Sequence, residues 1–162
     1  MAANKYLQQA TGAFQQVAYS DLSTPPSTLY ALQNFSNIIS SNTTTSSTGT
    51  FVTMASVAQG SAGTWLVNAW ATYGSSLLTQ LGIFRLTDGS TQGQIFGSGY
   101  VEVLTAADVQ TWAASGIVTS PTSNISLVCT NATPGGNVTC YRSGSATFPS
   151  SRDTGITAVR IG

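Results

Sequence analysis

Hydrophobic and polar residues alternate with a period of two along Gly63-Thr64-Trp65-Leu66-Val67-Asn68-Ala69-Trp70-Ala71-Thr72-Tyr73. This run predicts a long β-strand, since alternation, β-branched and aromatic residues and a leading glycine all favour extended backbone over helix. Trp65, Val67, Ala69, Ala71 and Tyr73 fall on one face, which is apolar throughout and reads as core. The other face is mixed, yet it carries Leu66 and Trp70. A face meant only for water has no use for those two residues, so this strand predicts a second partner.

The same texture runs from Thr50 to the end. Strands are expected over Phe51–Val57, Leu77–Leu86, Gln94–Phe96, Tyr100–Leu104, Asn124–Thr130, Val138–Arg142 and Thr154–Ile161. In the second of these, Leu81, Ile83 and Arg85 share one face, and Phe84 and Leu86 the other. Asp88-Gly89 signals a hairpin, and Pro134-Gly135-Gly136 turns the chain again. Ala106–Ala114 fits a helical turn or a strand equally well. The closing stretch is apolar on both faces, which predicts a mid-sheet strand with core on one side and another surface on the other. About eight or nine short strands spaced by turn residues predict an all-β fold, an antiparallel β-sandwich or jelly roll.

The first 49 residues read differently. Leu7, Ala10, Phe14 and Val17 recur at helical spacing, with Gly12 between them. After Pro25-Pro26, Ser27 is placed to cap a second short helix carrying Leu29, Leu32, Phe35, Ile38 and Ile39. Ser40–Gly49 is low in complexity and linker-like. The expected organisation is therefore a partly helical or extended arm with its linker over 1–49 and a sandwich over 50–162. Such an arm is too small to fold alone and is expected to lie against something else, with Leu7, Phe14, Val17, Leu29, Leu32 and Phe35 as its contact residues.

Composition sharpens the partner question. Only 6% of the 162 residues are charged, against about 25% in an ordinary domain, while Ser numbers 22 and Thr 24. A surface poor in long Lys and Glu side chains suits dense packing against neighbours. The net charge is zero, and Lys5, Arg85, Arg142, Arg152 and Arg160 are scattered. No basic patch is available for phosphates, so nucleic acid is not an expected partner. No run approaches the length of a membrane span, and the first residues hold no apolar signal-peptide core, so synthesis without export or membrane insertion is expected.

Candidate chemistry is sparse. The sequence has no His, which removes the usual Ser-His and Cys-His nucleophile pairs and the commonest metal ligand. The acids are Asp21, Asp88, Glu102, Asp108 and Asp153; only Glu102 and Asp108 lie close in sequence, and both read as strand-end residues. No enzymatic activity, cofactor or metal is expected. Cys129 and Cys140 stand about symmetrically around Pro134-Gly135, so a hairpin would set them opposite one another. A disulfide and two reduced core thiols both remain open. Five Asn-x-Ser/Thr triplets begin at Asn34, Asn42, Asn124, Asn131 and Asn137, as expected by chance in so Ser- and Thr-rich a chain. Trp70 and Trp112 read as interface residues or as sugar-stacking platforms. Arg160, on the face of Ile156 and Ala158, reads as a buried arginine paired with Asp153 or Glu102, or as a solvated strand end.

The order Gly63-Thr64-Trp65-Leu66-Val67-Asn68-Ala69, Leu86-Thr87-Asp88-Gly89, Ile125-Ser126-Leu127-Val128 and Gly155-Ile156-Thr157-Ala158-Val159-Arg160-Ile161-Gly162 resembles jelly-roll domains of the tumour-necrosis-factor/complement-C1q type. More narrowly, it is similar to the version found in bacteriophage virion proteins such as head fibres, capsid decorations and tail-associated proteins. The resemblance covers about residues 50–162; the paired cysteines and the Ala106–Ala114 segment depart from it. It implies a jelly roll of about eight to ten strands that forms a tight homotrimer, with the terminal strands near the three-fold axis. Leu66, Trp70, Trp112, Ile156, Ala158 and Arg160 are the interface residues expected on that basis. It further implies a structural protein of a virion, made in the host cytoplasm and attached through the N-terminal arm to capsid or other virion proteins. The alternative is a receptor- or carbohydrate-binding module at a phage tail or on a cell surface.

Overall fold

A computed structural model of the chain describes residues 5–10, 13–18, 33–46, 48–58, 63–89, 94–103, 109–142 and 153–162. The chain divides into two compact units, Met1–Ala31 and Leu32–Gly162. In the first, β1 (Lys5–Ala10) and β2 (Ala13–Ala18) form an antiparallel hairpin in the register Lys5↔Ala18 to Ala10↔Ala13. The helix expected from Leu7, Ala10, Phe14 and Val17 is replaced by these strands. In the sequence, a mid-helix Gly12 would cost about 1 kcal/mol, whereas a glycine between two short runs is also a hairpin signal. Leu29 and Leu32 lie outside the described residues.

The second unit holds the other ten strands. They are β3 (Asn34–Ile38), β4 (Thr43–Thr45), β5 (Val52–Val57), β6 (Thr64–Gly74) and β7 (Gln80–Thr87). They continue with β8 (Ile95–Val103), β9 (Val109–Thr119), β10 (Ile125–Asn131), β11 (Val138–Cys140) and β12 (Gly155–Arg160). The second expected helix is likewise corrected. Asn34–Ile38 is a strand that pairs with β12, and Phe35 packs its ring 5.7 Å from that of Trp65. Burial of that one aromatic against the core outweighs the helical spacing it shares with Leu32. The sandwich thus starts earlier than the expected boundary at residue 49, because β3 and β4 both belong to it.

One sheet runs β5-β10-β7-β8. The other has β6 at its centre, with β9 along one side; on the other side β12 pairs with its first half and β11 with its end. Beyond β12 lies β3, and beyond β11 lies β4. Setting aside the short β4 and β11 and numbering the remaining strands one to eight, the sheets read 1-8-3-6 and 2-7-4-5. That order is the jelly roll, in which each sheet takes strands from both halves of a folded-over antiparallel ribbon. The last strand is mid-sheet, as its two apolar faces predict.

The core follows the alternation. Trp65, Val67, Ala69, Ala71 and Tyr73 of β6 are all buried, and they meet Phe84 and Leu86 of β7 and Ile125, Leu127 and Cys129 of β10. Tyr73, Phe84 and Trp112 form a run of rings, with centroids 5.3 Å and 5.1 Å apart. Asp88 does more than signal a turn. Its Oδ1 accepts the Gln94 N–H, and its Oδ2 accepts the Thr122 N–H at 3.0 Å and hydroxyl at 3.2 Å, tying the β9–β10 connection to the start of the β7–β8 connection.

Candidate interaction surface

Register fixes which residues share the outer face of the β6 sheet. Leu66 pairs with Val159 and Ile117, Asn68 with Thr157 and Ser115, and Trp70 with Gly155 and Ala113. On β3, Asn34, Ser36 and Ile38 continue the same three rows. This four-strand face carries no charged residue in any of these rows. Its apolar members stand open: Ile117 is 56% exposed, Ile38 51% and Leu66 37%. Two of the polar members are matched to one another, the Ser115 hydroxyl donating to Asn68 Oδ1 at 2.7 Å.

Trp70 is half-buried and anchored. Its indole Nε1 donates to the Asp153 carboxylate, whose backbone carbonyl accepts the Thr72 N–H at 3.2 Å and hydroxyl at 3.1 Å. Gly155 lets the ring lie close against β12, since a Cβ there would sit 2.6 Å from Trp70 Cζ2 and 2.9 Å from the Asn37 carbonyl oxygen. Gly155→Ala is therefore expected to cost about 1–3 kcal/mol by overpacking. Thermal melting with tryptophan fluorescence checks this, as the ring must lift and its emission shift.

The remaining expected interface residues lie elsewhere. Ile156 and Ala158 pair with Ala69 and Val67, point inward and are fully buried, so the outward residues of β12 are Gly155, Thr157 and Val159. Trp112 pairs with Ala71 on the inner face, is half-buried and stacks on Phe84 at 19° between planes, so its ring packs against the core and not on the outer face of Trp70. Arg160 shares the Trp65 side and donates Nε to the Gly162 carbonyl at 3.1 Å. Of its two suggested partners, Asp153 accepts from Trp70, and Glu102 is exposed on β8 in the other sheet. Ile38, Ile117 and Val159 were missed because nothing in a sequence says which strands lie beside β6. The alternation within each strand was visible; its assignment to one shared face needed the register.

The cysteines are not opposed across a hairpin. Cys129 is on β10 in one sheet and Cys140 on β11 in the other, and both are free and buried in the core. Burial pushes the Cys129 thiol up to about 12 and that of Cys140 well above its ordinary value, with the charge of Cys129 raising the latter further. Among the Asn-x-Ser/Thr triplets, Asn131 is buried and accepts the Thr133 N–H at 3.0 Å, and Asn137 Oδ1 accepts the Ser75 hydroxyl at 2.9 Å. Among the described residues, no group of three His, Cys, Asp or Glu side chains is placed to hold a metal ion.

No family model matches the chain, and no curated protein matches it. Solved structures do. The Eiger TNF of S. frugiperda is similar at 11% identity and a TM-score of 0.49, over 80% of this chain and 90% of that one. A Bacillus endospore appendage protein, described as forming disulfide-linked pili, is similar at 8% identity and a TM-score of 0.41, over 80% of this chain and 88% of that one. A protein of the infectious bursal disease virus Gx strain is similar at 13% identity and a TM-score of 0.40, over 98% of this chain and 36% of that one. All three TM-scores lie below 0.5, so the jelly roll rests on the strand order of this chain and not on these likenesses.

Proposed function

We propose that the chain is a non-enzymatic structural protein of a virion that self-associates as a trimer through the outer face of the β6 sheet. The observation that carries this is the face itself, with Leu66, Ile117 and Ile38 exposed in rows that contain no charge. A face with two rows carrying exposed apolar residues on either side of an uncharged polar row resembles the core of a subunit interface, where charges are depleted. The N-terminal unit attaches the assembly to capsid or other virion proteins.

Size-exclusion chromatography with light scattering tests the assembly. A trimer is expected at micromolar concentration, and Leu66→Lys with Ile117→Lys is expected to yield a monomer with an unchanged far-UV spectrum. A wild-type monomer overturns the reading. For attachment, a deletion should end at residue 31, since β3 begins at Asn34 and belongs to the sandwich.

A second reading, recognition of a glycan or a receptor, is favoured by one arrangement. Trp70 lies against glycine on an exposed sheet, with the Asp153 carboxylate, Asn68 and Thr157 nearby to hydrogen-bond a ligand. A monomeric wild type that binds a glycan array, and loses binding on Trp70→Ala, would establish it in place of the first.

A further inference from the structure

A strand at the edge of a sheet offers a row of unpaired N–H and C=O groups, and proteins protect such edges with shortness, bulges or charge. Four of the edges here carry one of these devices. β3 has five residues and β4 three. The ladder joining β5 to β10 shifts register between Leu127 and Val128. That joining β8 to β7 shifts between Leu86 and Thr87, and β8 carries an exposed Glu102.

β9 carries none. It runs 11 residues, Val109-Gln110-Thr111-Trp112-Ala113-Ala114-Ser115-Gly116-Ile117-Val118-Thr119, without a charge or a proline. It pairs with β6 in unbroken register from Gly74↔Val109 to Thr64↔Thr119, and with no other strand among the described residues. Among the described residues, the longest edge strand is thus the one without such a device.

We infer that β9 is a docking edge for β9 of a second copy, the two strands pairing antiparallel about a two-fold axis to join two sheets into one. The sequence of the strand is what selects this occupant. A charge near the middle of a strand that pairs with itself would meet its own like, and β9 holds no charge at all. Pairing centred on Ala114 sets Trp112 beside Gly116, Thr111 beside Ile117 and Ala113 beside Ser115. Trp112 and Gly116 lie on the inner side, where Phe84 and Phe96 already pack against them, so the new side-chain contact falls on the outer side, where Ile117 gains a β-branched neighbour in Thr111. A two-fold contact of this kind is isologous and closes on itself, so it makes pairs rather than filaments. It is a different contact from the face proposed above and does not rest on it.

Hydrogen exchange on the full chain tests the inference. Edge amides of residues 109–119 alternate with those bonded to β6, so every second amide is the reporter. At high protein concentration these are expected to exchange at least about tenfold more slowly than at low concentration, and to do so equally in a Leu66→Lys/Ile38→Lys variant, whose changes lie on β6 and β3 and leave β9 untouched. Ala113→Pro and Ala114→Pro supply the control. Neighbouring N–H groups point to opposite sides, so one substitution breaks a bond to β6 and the other blocks only the open edge. The variant that keeps the wild-type melting temperature should lose the concentration-dependent slowing and halve the mass measured by light scattering. Reporter amides that exchange at the same rate at both concentrations in the wild type would overturn the inference, even if both proline variants fail to fold. Slowing that vanishes in the Leu66→Lys/Ile38→Lys variant would overturn it too, assigning the protection to the face instead.

Discussion

Replacing Trp65 by alanine is expected to cost about 3–5 kcal/mol, a large share of the roughly 5–15 kcal/mol that holds a domain folded. Trp65 is fully buried in the first half of β6, with Val118 of β9 beside it on one side and Arg160 of β12 on the other. Its ring meets Phe35, so the cavity would open where β3, β12, β6 and β9 are held together. Neighbours on four strands cannot all move inward, and the lost transfer energy is therefore joined by the cost of an unfilled void. Trp65→Phe separates packing from polarity. The indole Nε1 is buried with no hydrogen-bond partner, so phenylalanine removes that penalty while keeping most of the apolar body. Denaturant midpoints are expected to fall less than half as far for phenylalanine as for alanine. Equal losses would mean that the indole N–H contributes favourably, contrary to this account.

Most of the sandwich was legible because its strands keep strict alternation. The β6 core face, the Phe84 and Leu86 face of β7, the Asp88 hairpin and the mid-sheet closing strand all follow from period-two patterns and turn residues. The N-terminal region was misread where patterns of different period overlap. Leu7, Ala10, Phe14 and Val17 satisfy a helix, yet six-residue strands flanking Thr11-Gly12 satisfy a hairpin equally, and only the pairing decides. Phe35 reads as part of the arm because its strand holds only one half-buried aromatic, with an exposed isoleucine among polar residues, too weak a signal without the partner strand. The interaction surface was half visible. Leu66 and Trp70 were placed outward on β6, but the residues expected on β12 were those of its inner face. A strand that is apolar on both sides does not declare which side is core, and pairing with β6 settles it: Ile156 and Ala158 face in, and Thr157 and Val159 face out. Trp112 reads as an interface or sugar-stacking residue because Ala106–Ala114, where it lies, fits helix or strand equally well. In the strand it occupies, every second residue points inward, and Trp112 is one of those.

Alkaline pH is expected to unfold the protein through its two core thiols. Each titrates near 8.5 in the unfolded chain. In the fold, burial pushes Cys129 up to about 12, against a smaller lowering by a backbone hydrogen bond at Ile83. Cys140 moves the same way, from burial first and the charge of Cys129 second. A group whose folded value is raised holds its proton longer in the native state. The stability it contributes is fully present below pH about 8.5 and is lost as the pH rises toward 12. Between pH about 8.5 and about 10.5 the Cys129 thiol alone removes about 2–3 kcal/mol, at 1.36 kcal/mol per unit, and Cys140 adds to the loss. Tyr73 and Tyr141 are raised as well, chiefly by burial, so a shallower slope remains without the cysteines. Urea denaturation across this range checks the sign: a flat stability below pH 8 and a fall above it for the reduced protein. The Cys129→Ala/Cys140→Ala variant should start lower, from the lost packing, and fall less steeply. An equal slope in both proteins would sink the assignment. A wild type that stays level and releases no thiol on unfolding would mean that the two sheets are joined by a disulfide between these residues.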